Sequence, residues 1–211
     1  MARRARPRPK AATDPRTRIV DAALELVPVH GWSGLTLARV ARATGHSLAE
    51  LYNFFPTKTA LLGAFLDRID RAMVAGAGAD EDESPRDRLF AVMMARFDAL
   101  KPHKDAVRRI VQDLVRDPAA AVSTGCRLRR SLALMLEAAA IPSGGLFGAL
   151  RLEGLGLIHL SVLRVWLGDD SDDAAKTMAA LDRALGRAEA AIGWCRGARQ
   201  RGDTEAAGNS A

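Results

Sequence analysis

The chain has 211 residues, 48% of them apolar and only 5% aromatic, with Ala and Leu supplying most of the apolar content. That is enough for a packed core in one large or two unequal domains, and the Ala/Leu bias argues against a sheet-rich fold, since strands prefer β-branched and aromatic residues. The formal net charge is +6, but Arg3, Arg4, Arg6, Arg8 and Lys10 stand together without an acid, and +6 less these five leaves +1 for the rest.

In chain order, residues 1–13, with Arg and Pro alternating within the first ten, predict a disordered basic arm that can reach phosphates or a minor groove. Asp14 and Pro15 open a first helix, with Ile19, Ala22, Ala23 and Leu26 on one stripe; Pro28 is expected to end it and Gly31 to mark the turn. Thr36 caps a second helix, with Val40 and Ala41 inward and Gly45 closing it. Ser47 and Glu50 form a capping box for a third helix, anchored by Leu51 and Phe55 and stopped by Pro56. Thr57 caps a fourth that runs to about Ala75, followed by a linker containing Gly76, Gly78 and the acidic run Asp80 to Glu83.

Beyond the linker only helices are expected. They run from Ser84-Pro85 to Leu100, from about His103 to Arg116, from Asp117-Pro118 to before Pro142, from Ser143 to about Leu167, and from Ser171 to near Arg196. The resulting domains are 14–62, a helix-turn-helix domain, and 63–197, a larger helical domain, with 198–211 as a disordered tail. Leu146 to Leu167 is the most apolar stretch, but Arg151, Glu153, His159 and Arg164 within it predict a buried helix, not a membrane span.

Helices as short as the second and third are not stable alone. A short pair with the second member exposed presents a rod to the major groove of DNA. On the third helix Ser47 and Tyr52 are candidate phosphate donors, Asn53 a candidate adenine reader and Leu48 a candidate thymine-methyl contact. Thr36, Arg39 and Lys58 are candidate backbone contacts, joined by Arg3, Arg4 and Arg6 of the arm. No Lys or Arg falls between Ser47 and Phe55, and Glu50 adds a negative charge there.

In the larger domain Met178, Leu181, Leu185, Ala188 and Ile192 form an apolar seam of coiled-coil spacing, matched on the preceding helix by Phe147, Leu150, Gly154, Leu157 and Ser161. Paired across two subunits, these helices would form a four-helix dimer interface. Met93, Met94 and Phe97 are candidates for an adaptable pocket, with His103 and His159 as polar contacts. The four histidines and two cysteines lack metal-ligand spacing, and no phosphate loop, nucleophile elbow or paired-carboxylate motif is present. No enzyme activity, metal or cofactor is therefore expected, and the lack of an N-terminal apolar run fits a cytoplasmic protein.

Gly31-Trp32, Thr36, Val40-Ala41, Gly45, Ser47, Leu51-Tyr52, Phe55 and Lys58 resemble the N-terminal signature of the TetR family of transcriptional regulators. The resemblance covers about Thr17 to Leu66, with Phe54 in place of the family's His or Tyr and His46 in place of its Val. It implies an all-α, TetR-like fold of about nine helices. It also implies a homodimeric repressor that binds operator DNA and is released by a small hydrophobic effector. A second resemblance lies in Leu26-Val27-Pro28-Val29-His30-Gly31-Trp32, with Val165-Trp166-Leu167, Thr177-Met178 and Leu181-Asp182-Arg183. These segments are similar to the TetR-fold lipid-binding proteins of ubiquinone biosynthesis, which would imply lipid carriage without specific DNA binding.

Overall fold

The computed structural model describes residues 14–78 and 82–190. Among them every regular element is helical: α1 (Pro15–Gly34), α2 (Leu37–Thr44), α3 (Leu48–Phe54), α4 (Lys58–Gly76), α5 (Pro85–Leu100), a 3-10 turn (Lys101–His103), α6 (Lys104–Leu114), α7 (Pro118–Ala138) and α8 (Gly145–Leu167). A further helix, α9, occupies 175–190. Two compact units result. The first gathers residues 14–65 with 105–124, and the second gathers the described residues from 66 to 104 and from 125 onward.

In the first unit the caps explain where each helix starts. Asp14 accepts from the Arg16 amide at 3.3 Å, Thr36 Oγ1 from the Arg39 amide at 3.3 Å, and Thr57 Oγ1 from the Ala60 amide at 3.0 Å. Pro28 does not end α1. The helix runs through it to a break at Gly31, where the backbone turns to φ +74° and ψ 161°. Buried Val27 and Trp32 on either side of the break hold the chain against the core, which offsets the amide that Pro28 cannot supply. The core joins Ile19, Val20, Leu24, Val40, Leu51, Phe55, Leu61 and Phe65. It is tightly filled, leaving a cavity of only about 10 Å³ between Val20, Leu24, Trp32, Leu61 and Ile110.

Ile110 belongs to α6, which the sequence placed in the larger domain. The structure corrects that assignment: α6 joins the first unit. Its buried Asp113 accepts from the Ser33 amide at 3.1 Å, just past the break in α1. This satisfies a backbone donor that the break leaves without a helical partner.

In the second unit α5 makes the organising contacts. Buried Arg96 pairs with Asp70 of α4, and the Ser131 hydroxyl of α7 bridges both Asp70 oxygens at 2.8 and 2.6 Å. Arg86 reaches Asp182 of α9 at 2.6 Å, and Arg88 Nε donates to the Ala139 carbonyl just beyond α7 at 2.8 Å. Phe97 stacks on His159 of α8 with ring centroids 5.6 Å apart. α9 starts later than Ser171. Asp169 accepts from the backbone and hydroxyls of Ser171 and Thr177, and Ser171 Oγ accepts from the Ala175 amide at 3.2 Å.

Candidate nucleic-acid interface

The geometry of α3 begins with its N-terminus. Ser47 Oγ accepts from the Glu50 amide at 3.2 Å, while Glu50 Oε2 accepts from the Ser47 amide and hydroxyl, both at 2.8 Å. The backbone bond from Ser47, then its hydroxyl, hold the Glu50 carboxyl below the usual carboxylate range. The carboxylate keeps its negative charge, but the capping bonds fix it at the helix N-terminus, where the helix dipole favours an anion. Gly45 supplies the left-handed residue (φ +71°) that ends α2, so only three residues separate the two helices.

Leu51 is the buried anchor of α3, and Phe55 continues the anchor just past its end. Arg16 of α1 lies over the Phe55 ring at 4.6 Å. The opposite side carries Leu48, 52% exposed, and Tyr52, 58% exposed, together with exposed Ser47 and Asn53. Exposing two large side chains on a seven-residue helix forgoes burial energy that the core would otherwise collect. Phe54, standing where a phosphate donor was expected, is half-buried and meets His46 edge-on at 6.1 Å.

The flanking candidates split. Thr36 is spent on its cap but remains exposed, and Arg39 lies in solvent with Nη1 2.9 Å from His30 Nδ1. Lys58 is half-buried; its ammonium donates to the Trp32 carbonyl at 3.2 Å and lies 5.3 Å from the Trp32 ring. Two of its three protons remain for another acceptor. Arg3, Arg4 and Arg6 lie outside the described residues.

A profile described as "Bacterial regulatory proteins, tetR family" matches residues 19–65, the helices just described. The chain is 37% identical over 65 residues to the HTH-type transcriptional repressor DrrR1 of Streptomyces coeruleorubidus, covering 31% of this chain and 23% of that protein. It is 35% identical over 86 residues to the HTH-type transcriptional regulator BetI of Burkholderia thailandensis, covering 39% of this chain and 44% of that one. It therefore spans less than half the length of these curated relatives. The fold matches the crystal structure of a TetR transcriptional regulator from Nitrosomonas europaea at a TM-score of 0.68 and 26% identity, over 82% of this chain and 97% of that one. A TetR regulator from Rhodococcus sp. RHA1 matches at 0.58 and 26% identity, over 80% and 94% of the two chains. Residues 19–65 thus match the TetR family, and the fold is similar to that of TetR transcriptional regulators. The proteins named here are regulators of transcription, not enzymes.

The second unit holds the remaining candidates. Phe97 and His159 are buried against each other, with Trp166 at 5.8 Å from Phe97. Met94 is half-buried, and half-buried His103 lies with Nε2 3.2 Å from Arg68 Nη2. The four thus do not face one open pocket; Phe97 and His159 fill the space with each other. Burial, then the neighbouring Arg96 charge, push the His159 pKa down to about 3, and its Nδ1 has no hydrogen-bond partner among the described residues.

The expected dimer seam also divides. Leu181 and Leu185 are buried inside the chain itself, which corrects their assignment to a free face: heptad spacing specifies a partner helix, not which molecule supplies it. Met178 is half-buried, and Ile192 lies outside the described residues. On α8, Leu150 is 70% and Leu157 72% exposed, with Leu146, Phe147 and Leu160 also in solvent and Gly154 between them. Gly148, Leu152, Leu155, His159, Val162 and Trp166 form its buried stripe. By length and composition α8 would suit a membrane. Its polar content (Arg151, Glu153 and Arg164) and the packing of its His159 on α5 give it a different setting.

What the sequence missed here is Asp113, whose only signal was an acid on a helix with no evident reason to be buried. It holds Ser33 from 80 positions away in the chain.

Proposed function

We propose that this chain is a homodimeric DNA-binding repressor, working in the cytoplasm, which a small effector with an apolar body releases from its operator. The observation that carries the reading is α3: both ends are secured, its inner side is anchored, and it holds Leu48, Tyr52 and Asn53 out in solvent. Such a rod suits the major groove, with Asn53 set for adenine, Leu48 for a thymine methyl and Tyr52 for a base edge or phosphate. Lys58, Arg39 and the amides after Thr36 supply backbone contacts. The exposed side of α8 supports self-association, since an apolar strip of this extent is costly in water and a symmetric pair would present two reading helices to two half-sites. The repressor role follows the relative named as one. Release requires only that the effector prefer a conformation with the reading helices wrongly spaced.

Fluorescence anisotropy with DNA from upstream of the chain's own gene tests the reading. Tyr52→Ala and Asn53→Ala should each weaken specific binding by about tenfold or more while sparing non-specific binding. Lys58→Ala should weaken all sequences alike and reduce the salt slope by about one per half-site. Leu150→Glu with Leu157→Glu should give monomers in sedimentation. Sequence-blind binding that ignores Tyr52→Ala overturns the reading and leaves the lipid-carrier resemblance as the better guide.

A further inference from the structure

On the second unit a groove of about 450 Å³ opens between α4 and α7. Asp67, Asp70, Arg71, Val74 and Ala75 line it from α4, at spacings that place them on one helical stripe, and Arg130 and Leu134 line it from α7. Its volume is in the range of small-molecule sites.

The charges do not balance. Asp70 is taken by Arg96 and Ser131, and Asp67 by Arg127 at 2.9 Å. Arg71 and Arg130 are exposed and have no hydrogen-bond or ion-pair partner among the described residues. Two guanidiniums thus remain over after both carboxylates are matched. Beside them Val74 and Leu134 leave apolar surface in water, 45% and 38% exposed. None of the four residues singled out from sequence as ligand contacts lies here.

We infer that this groove binds an amphipathic anion: one carboxylate or phosphate head held by Arg71 and Arg130, with an apolar body lying on Val74, Ala75 and Leu134. The guanidinium fork matches either head group with paired hydrogen bonds, and the apolar wall selects against small hydrophilic anions. The inference deepens the reading above by naming the effector's chemical class, and it rests on that reading only for the regulatory consequence.

Calorimetry on the full chain with decanoate, decyl phosphate, decanol and decyltrimethylammonium tests it. Both anions, or one of them, should bind saturably at one per protomer and at least about tenfold more tightly than the neutral and cationic probes. The comparison of the two anions decides which head group is native. Arg71→Gln with Arg130→Gln should cost about tenfold or more in anion affinity and leave thermal unfolding unchanged, because neither side chain holds another. Leu134→Ser should weaken the anions without changing the preference for negative charge. Decanol binding as tightly as decanoate, unaltered affinity in the double variant, or uptake only onto anionic vesicles overturns the inference. Operator affinity is read separately by anisotropy. Anion binding with no change in DNA affinity leaves the groove assignment standing and refutes the effector role, whereas specific DNA binding without anion binding refutes the groove alone.

Discussion

Gly31 and Asp113 give the sharpest test of how the first unit is held together. At φ +74° and ψ 161°, Gly31 occupies a region that residues with a Cβ rarely enter, and an added methyl would stand 2.8 Å from Asp113 Oδ2 and 3.0 Å from Arg109 Nη2. Gly31→Ala therefore costs about 1–3 kcal/mol in backbone strain, and it must also displace a buried carboxylate. Asp113→Ala removes a charge-assisted hydrogen bond to the Ser33 amide, a loss of about 1.5–3 kcal/mol. Arg109 and Arg116, at 3.6 and 3.9 Å, add little because both reach into solvent. In the double variant the collision with Asp113 disappears and the half-exposed Arg109 side chain is free to swing aside, while the strain remains, so the combined loss should fall short of the sum by about 1 kcal/mol. Urea unfolding of the four proteins, followed by circular dichroism, measures the losses, and hydrogen exchange at the Ser33 amide localises them. Strictly additive losses, or an Asp113→Ala protein within about 0.5 kcal/mol of the parent, would refute the claim that α6 braces the break in α1.

Ser47→Ala should destabilise α3 by about 1 kcal/mol and weaken specific DNA binding with it, as read by exchange of the α3 amides and by anisotropy. The lowered Glu50 pKa makes its capping contribution present above the usual carboxylate range and lost as pH falls through the folded value, so Glu50→Gln should flatten the acid side of α3 protection measured against pH. His159 has the opposite charge type but the same direction. With its pKa down to about 3, the unfolded chain takes up a proton near pH 6.5 that the folded chain refuses. Stability should therefore fall by up to about 1.4 kcal/mol per pH unit as pH drops between those values, and His159→Phe should remove that slope in acid titrations of the unfolding midpoint. Arg96→Met should cost about 3–5 kcal/mol by stranding Asp70, and Arg96→Met with Asp70→Asn should recover much of it in thermal unfolding; equal losses would show that the pair is not the source.

The parts of the fold that were legible in sequence are those decided within a few residues. The Ser47 and Glu50 box, the left-handed Gly45 and the Thr36 cap each depend on neighbours one turn away. Pro28 misled because its local penalty is overridden by burial of Val27 and Trp32, which is a tertiary effect. The partnership of Asp113 with Ser33 joins positions 80 apart and has no periodic signature. The seam through Leu181 and Leu185 was visible as a pattern but carried no information about its partner. Likewise Phe97 and His159 were recognisable as buried chemistry, but that they would stack on each other depends on the packing of α5 against α8.

The capping box has a consequence for how discrimination responds to the medium. The one formal charge on α3 is bound to the helix's own first turn, and the groups offered to base edges are a phenol, an amide and a hydrocarbon. In the proposed complex, raising ionic strength would then weaken binding to every sequence through the arginines and Lys58 outside α3. The ratio between the operator and a random site would hardly move, so a cell under osmotic load would lose occupancy without losing the choice of site.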